Sequence, residues 1–230
     1  MSAPRFEPLG DDAVLVHLGE GVDPAINARV HALTAALRNL DLPWLRDLVP
    51  AYASLAVFFD AAQLDDPART VSDLVHRLLA GMTTTKESPG ALLEVPVCYG
   101  GTHGEDLADA ASTLGVDEAT LIARHSAAIY TVAMIGFAPG FPYLLGLDPG
   151  LTLPRLATPR TRVPAGSVAI AGAQAGIYPR ESPGGWRLLG RTPLMLFDPA
   201  RARPSLLQPG DRVRFVPIGA DDFTRLERTP

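Results

Sequence analysis

The chain has 230 residues, 47% apolar and 20% charged, with a formal net charge of −5 and one cysteine. This suits one large or two small globular domains with real cores and excludes a disordered chain; the acidic balance argues against a general binder of nucleic acid or anionic membrane. Cys98 forms no internal disulfide and fits a reducing cytoplasm, as does an N-terminus, MSAPRFEPLGDD, with no apolar run behind a basic start.

Residues 13–18, AVLVHL, read as a strand. PAINARVHALTAALRNL follows as a helix, with Pro24 at its start and Ile26, Val30, Leu33 and Leu37 on one face. A short strand over Leu45 to Val49 and a second, SLAVFFD, precede a helix in DDPARTVSDLVHRLLAG, with Pro67 in its first turn and Gly81 at its C-cap. This β-α-β-β-α order predicts a small two-layer α+β domain, a ferredoxin-like α/β sandwich, over residues 1–85. The polar TTTKESPG is the predicted boundary, leaving a second domain over residues 86–230.

ALLEVPVCY restarts with a strand, and two helices are expected at roughly 105–114 and 117–127. Residues 126–147, SAAIYTVAMIGFAPGFPYLLGL, carry no charge and are long enough to span a bilayer. Two prolines and three glycines inside the run exclude a continuous spanning helix. SAAIYTVAMIG reads instead as a helix end followed by a buried strand, and FAPGFPYLLGL as a rigid apolar loop with Tyr143 on its rim. Beyond it, VAIAG, WRLLG, PLMLF and RVRFVPI are separated by glycine and proline, and 14 of the 22 prolines fall at or after Pro139. Short strands of this kind point to a barrel or sandwich rather than a parallel sheet. No internal repeat of fixed period appears.

Nineteen of the twenty basic residues are arginine, and the lone lysine, Lys86, sits in the boundary segment. That removes a P-loop nucleotide site and the serine/lysine machinery of an amidase. In GGTHGEDL, Thr102 and Glu105 have capping-box spacing, while His103 and Asp106 make a pair at a helix N-terminus suited to an anionic ligand. His125 lies on an apolar helix stripe, either as a core residue or as a catalytic partner of His103. No metal-ligand spacing occurs among five histidines and one cysteine, so no metal is expected. Arg160 and Arg162 alternate along TPRTRVP and would point to one side of a strand, as a carboxylate or phosphate clamp, or else as part of a solvated surface or an internal salt bridge. Gln174 and Tyr178 add donors beside glycine-rich turns.

CYGGTHGEDL, GFAPGFPYLLGLDP, TPRTRVPAGSVAIAG, AGIYPRESPGGWRLLGRTPLMLFDP and LQPGDRVRFVPI resemble successive motifs of the family of 5-oxoprolinase B subunits, also called allophanate hydrolase subunit 1 or kinase-inhibitor-like proteins. PLGDDAVLVHLG resembles the family's opening, so the likeness spans nearly the whole chain; GTHGEDL departs from the more usual G-E-H-G-P-D-L. The resemblance implies a cyclophilin-like β-barrel for the second domain. It also implies action with the C and A subunits of a 5-oxoprolinase, opening 5-oxo-L-proline to glutamate with ATP, which is bound by or shared with a partner. Catalytic candidates are then His103, Asp106 and His125, and substrate-binding candidates Arg160, Arg162, Gln174, Tyr178 and Tyr143. Two other functions stay open: a carboxyltransferase-like part of a urea carboxylase or allophanate hydrolase system, and a non-enzymatic inhibitor of a sensor histidine kinase. A nucleic-acid role is not expected, because DEATLIARHSAA is not basic.

Overall fold

Alternating apolar residues in AVLVH and SLAVFF pair as neighbouring strands at the centre of an antiparallel sheet. The structure, a computed structural model, describes residues 3–82 and 90–228. The chain divides into two compact units, Met1–Pro89 and Gly90–Pro230. Lys86 and most of the boundary segment lie outside the described residues.

In the first unit, β1 (Arg5–Pro8), β2 (Ala13–His17), β3 (Leu45–Pro50) and β4 (Ser54–Phe59) form a sheet in the order β1-β2-β4-β3. Helices α1 (Pro24–Arg38) and α2 (Pro67–Gly81) complete it. Each begins at a proline preceded by an aspartate cap: Asp23 accepts from the amides of Ala25 and Ile26, and Asp66 from that of Arg69. Val14 and Val16 of the sheet bury against Val30, Leu33 and Leu37 of α1 and Val71 and Val75 of α2. The predicted β-α-β-β-α series runs from β2 to α2; β1 is an addition. Its four residues, RFEP, are mostly exposed at the sheet edge and too short to show a period.

The second unit contains β5 (Leu92–Tyr99), α3 (Leu107–Leu114), α4 (Glu118–Ala127), β6 (Ile129–Ile135), β7 (Pro142–Leu145), β8 (Arg160–Val163), β9 (Ser167–Ala171), β10 (Gln174–Ile177), β11 (Ser182–Gly184), β12 (Arg187–Arg191), β13 (Arg212–Pro217) and α5 (Ala220–Glu227). Seven strands close into a barrel in the order β10-β7-β6-β13-β5-β12-β9, and β8 and β11 pair separately. A closed ring with an odd number of strands cannot be antiparallel throughout, and here β5 and β13 are the parallel pair. Strand alternation sorts the side chains into two sets. Val95, Val132, Leu144, Val168, Ile170, Ala175, Ile177 and Phe215 fill the interior. Ala169, Ala171, Tyr178 and Leu188 face outward into a separate cluster with Phe141 and Trp186.

The uncharged run 126–147 is thereby resolved into the end of α4, all of β6, a tight connection and β7. PYLL is a strand rather than part of a loop: Pro142 opens it, where a missing amide costs least, and Tyr143 and Leu144 pair with β10. PLMLF forms no strand and contributes one bridge, Phe197 to Ser205. No helix among the described residues is long and apolar enough to cross a membrane.

Candidate functional site

Small residues on the outer barrel wall leave room for large rings. Ala169 and Ala171 of β9 and Gly176 of β10 face outward; a Cβ on Gly176 would lie 2.9 Å from Phe141 and 3.0 Å from Trp186. On this shelf Phe141 meets Tyr143 at 4.8 Å, Tyr178 at 5.2 Å and Trp186 at 5.7 Å, the last two edge-on. Between the rings lies a cleft of about 140 Å³, lined also by Phe137, Arg155 and the Pro183-Gly184-Gly185 turn. The site lies on the outer wall, because the barrel interior is filled.

The two phenols in the cleft stay protonated at neutral pH. Burial raises the pKa of both Tyr143 and Tyr178, and the charge of Arg155 only partly opposes it. Each therefore presents a neutral O–H donor. Tyr178 is also held by a backbone hydrogen bond from Trp186. Among the described residues Arg155 makes no ion pair. The cleft thus combines flat apolar walls, two neutral donors and one cation.

At the tip of the β6–β7 connection, Phe137 has φ +64°, a conformation that strains a bulky residue. The Ala138 amide donates to the Gly136 carbonyl at 2.7 Å across it, closing a γ-turn. Phe137 as a residue is 63% exposed, yet its ring meets those of Phe141 and Tyr178 edge-on.

His103 and Asp106 are not joined as a pair. After a single tight turn over Gly101–His103, α3 begins at Leu107, and neither segment has a side-chain cap. The expected Thr102–Glu105 capping box therefore does not form, because the helix starts later than the spacing implied. The Glu105 carboxylate instead lies 3.6 Å from Arg160. Asp106 is buried and bonds Arg160 at 2.6 Å, while its other oxygen accepts from the Leu188 amide at 2.7 Å. The Asp106 amide returns a bond to the Leu188 carbonyl at 3.0 Å, so this residue clamps the start of α3 to β12. Arg187 pairs with Asp109 on the same helix. His103 packs against Phe223 of α5, ring centroids 4.4 Å apart and tilted by 43°.

His125 is fully buried, and the structure places it in the core, not beside His103. Its Nδ1 shares a 2.8 Å hydrogen bond with the Tyr99 hydroxyl, and its ring stacks on Phe215 at 4.7 Å. Desolvation holds its pKa down at about 3, so it is neutral at physiological pH. Sealed from solvent, it is badly placed to shuttle protons.

Of the substrate-binding candidates, the fold brings Tyr143 and Tyr178 together at the cleft. It ties both arginines into ion pairs, that of Arg160 partly buried and that of Arg162 at the surface. Arg160 bonds Asp106, and Arg162 bonds Glu181 at 2.6 Å in an exposed pair. Gln174 opens β10 opposite Ala171 and does not line the cleft. Arg155, Phe137, Phe141 and Trp186 were missed. The PGGW turn was the one usable signal, since it ends on a tryptophan whose ring needs a partner surface.

The carboxyltransferase domain family, subdomain C and D, matches residues 4–207. The chain is 39% identical over 227 residues to the 5-oxoprolinase B subunit from Bacillus subtilis (strain 168), covering 95% of each. Among solved structures, TTHA0988 is similar at a TM-score of 0.78 and 42% identity, over 91% of this chain and only 40% of that longer one. The K. lactis urea amidolyase shares the fold at a TM-score of 0.78 and 21% identity, over 96% of this chain and 15% of that one. With a family-model match over residues 4–207 and a near end-to-end sequence match to a named B subunit, the chain belongs to the family of 5-oxoprolinase B subunits, within the carboxyltransferase domain family of subdomains C and D.

Proposed function

We propose that the chain is the B subunit of a 5-oxoprolinase, acting with the C and A subunits to open 5-oxo-L-proline to L-glutamate at the expense of ATP, and inactive alone. The observation that carries this reading is the match to a 5-oxoprolinase B subunit over 95% of both chains. Opening a lactam is difficult because an amide is a poor electrophile. Phosphorylating its oxygen would make the carbonyl carbon electrophilic enough for water to add, after which the ring C–N bond breaks and phosphate is released by a second water. ATP does not suit the cleft described here, which is small, offers one cation and has no glycine-rich phosphate loop. We therefore assign ATP to one of the partners and derive no step through it on this chain. The protein's own contribution is to bind and orient a small acid and to hold neutral donors against developing negative charge.

In the same reading the first unit is a ferredoxin-like variant whose last edge position is taken by the preceding strand β1, supported by the order β1-β2-β4-β3. The barrel is cyclophilin-like, and the protein works in the cytoplasm, in keeping with the reduced, buried Cys98. Co-expression with the C and A subunits, followed by an assay of 5-oxoproline with ATP, tests the function. Glutamate and ADP should form in equal amounts only when all three are present; absence of glutamate from the assembled complex overturns the proposal. A carboxyltransferase role is the second reading, favoured by the family match over residues 4–207. It would show as biotin-dependent carboxylation of urea by the same complex.

A further inference from the structure

We propose that the outer-wall cleft binds a small cyclic carboxylic acid, its ring against Phe141, Tyr143 and Trp186 and its carboxylate on Arg155, beneath the ring of Phe137. The choice of a five-membered lactam acid rests on the 5-oxoprolinase reading; the class of ligand rests on the cleft itself.

Charge decides the sign of the ligand. Arg160, Arg162 and Arg187 all have carboxylate partners, and no acidic side chain lines the cleft. Arg155 is the cation there, and among the described residues it has no ion pair. Aromatic walls alone would also suit a cation, but a guanidinium beside them repels one. An anion gains a charge-assisted bond instead, with the Tyr143 and Tyr178 hydroxyls as further donors.

Size and shape decide the rest. Phe141 meets Tyr178 at 89° and Trp186 at 90°, a right-angled corner that offers ring faces to a flat guest. At about 140 Å³ the space takes one small ring rather than a nucleotide. Gly184 and Gly185 form the opposite rim, and a Cβ on Gly184 would collide with the Tyr178 hydroxyl oxygen, so the rim approaches as far as glycine allows. Phe137 supplies an independent sign. A bulky, largely exposed residue held at positive φ is costly to keep, and such outliers gather at ligand sites. Its position over Tyr178 and Phe141 makes it the cover.

The test uses the full chain and its own fluorescence. The protein has two tryptophans, Trp44 and Trp186, so a Trp44→Phe background isolates the one in the cleft. Titration with 5-oxo-L-proline should shift Trp186 emission. Arg155→Met should weaken binding about tenfold or more, and Arg155→Lys should restore part of it. 2-Pyrrolidone, the same ring without a carboxylate, should bind weakly and equally to native and Arg155→Met proteins. Phe137→Gly, which relieves the strained backbone while removing the ring, should fold normally and weaken the acid several-fold. Equal affinity of native and Arg155→Met proteins for 5-oxoproline overturns the inference. So does absence of binding at about 10 mM to both the lone chain and the assembled complex. If the complex turns over 5-oxoproline and Arg155→Met leaves KM unchanged, the cleft assignment fails while the function stands. If Trp186 reports binding of the acid but the complex makes no glutamate, the cleft stands and the function fails.

Discussion

A neutral histidine sealed in a core makes stability depend on pH in a definite direction. His125 has a folded pKa of about 3, below the 6.5 of an exposed imidazole. The unfolded chain therefore takes up a proton on this ring at higher pH than the native protein does, and acid favours unfolding. The contribution of His125 is fully present above 6.5 and is lost as pH falls from there towards about 3. The double variant His125→Leu/Tyr99→Phe, which removes the titrating ring and its hydroxyl partner together, should flatten this acid limb. Urea midpoints compared at about pH 7 and about pH 4 measure it, and an unchanged loss of stability on acidification would exclude His125 as the cause. At this scale the sequence was only half informative. The apolar stripe around His125 made burial readable, and Tyr178 stood out as a donor beside glycine-rich turns. Arg155 was not readable, because it lies in an irregular segment after the Leu153–Gly172 bridge, where no period says which way a side chain points. Its meaning comes from what the closed barrel brings beside it.

Between elements, the most consequential contact is the carboxylate that fixes α3 to β12. Asp106 neutralises a partly buried guanidinium and satisfies a strand amide at the same time. Asp106→Ala should cost about 2 kcal/mol, because Arg160 would lose its closest counter-ion and the Leu188 amide its acceptor, while solvent and Glu105 still offset part of the charge. Asp106→Asn should cost less, since its amide oxygen still accepts from Leu188. Chemical denaturation of the two variants checks the order. Equal stability of Asp106→Ala and native protein would remove the clamp from the account. Elements with a period or a punctuating residue were readable in advance: α1 from Pro24 and its apolar face, α2 from Pro67 in its first turn, and β6 from its unbroken apolar run. β1, β10 and β11 were not, since three or four residues show too little alternation to distinguish a strand from a loop. The capping-box spacing misled for a related reason: the Gly101–His103 turn delays the helix start, and nothing in the local sequence distinguishes the two frames.

For the whole molecule, each unit has its own buried apolar cluster, and that is the physical requirement for folding alone. A fragment spanning residues 90–230 should fold cooperatively, with a single urea transition reported by Trp186. A broad, non-cooperative loss of that signal would mean that the barrel needs the first unit to hold its shape. Closure of the ring by one parallel pair has a further effect. The first and last barrel strands run side by side in the same direction, in register from Leu92 beside Arg212 to Val97 beside Pro217. The polypeptide thus arrives at one pole of the barrel and departs from the other, roughly 20 Å away along six residues of strand. A circular permutant that splices Pro217 back to Leu92 would have to bridge that height, so a connector shorter than about six extended residues should fail where a longer one folds.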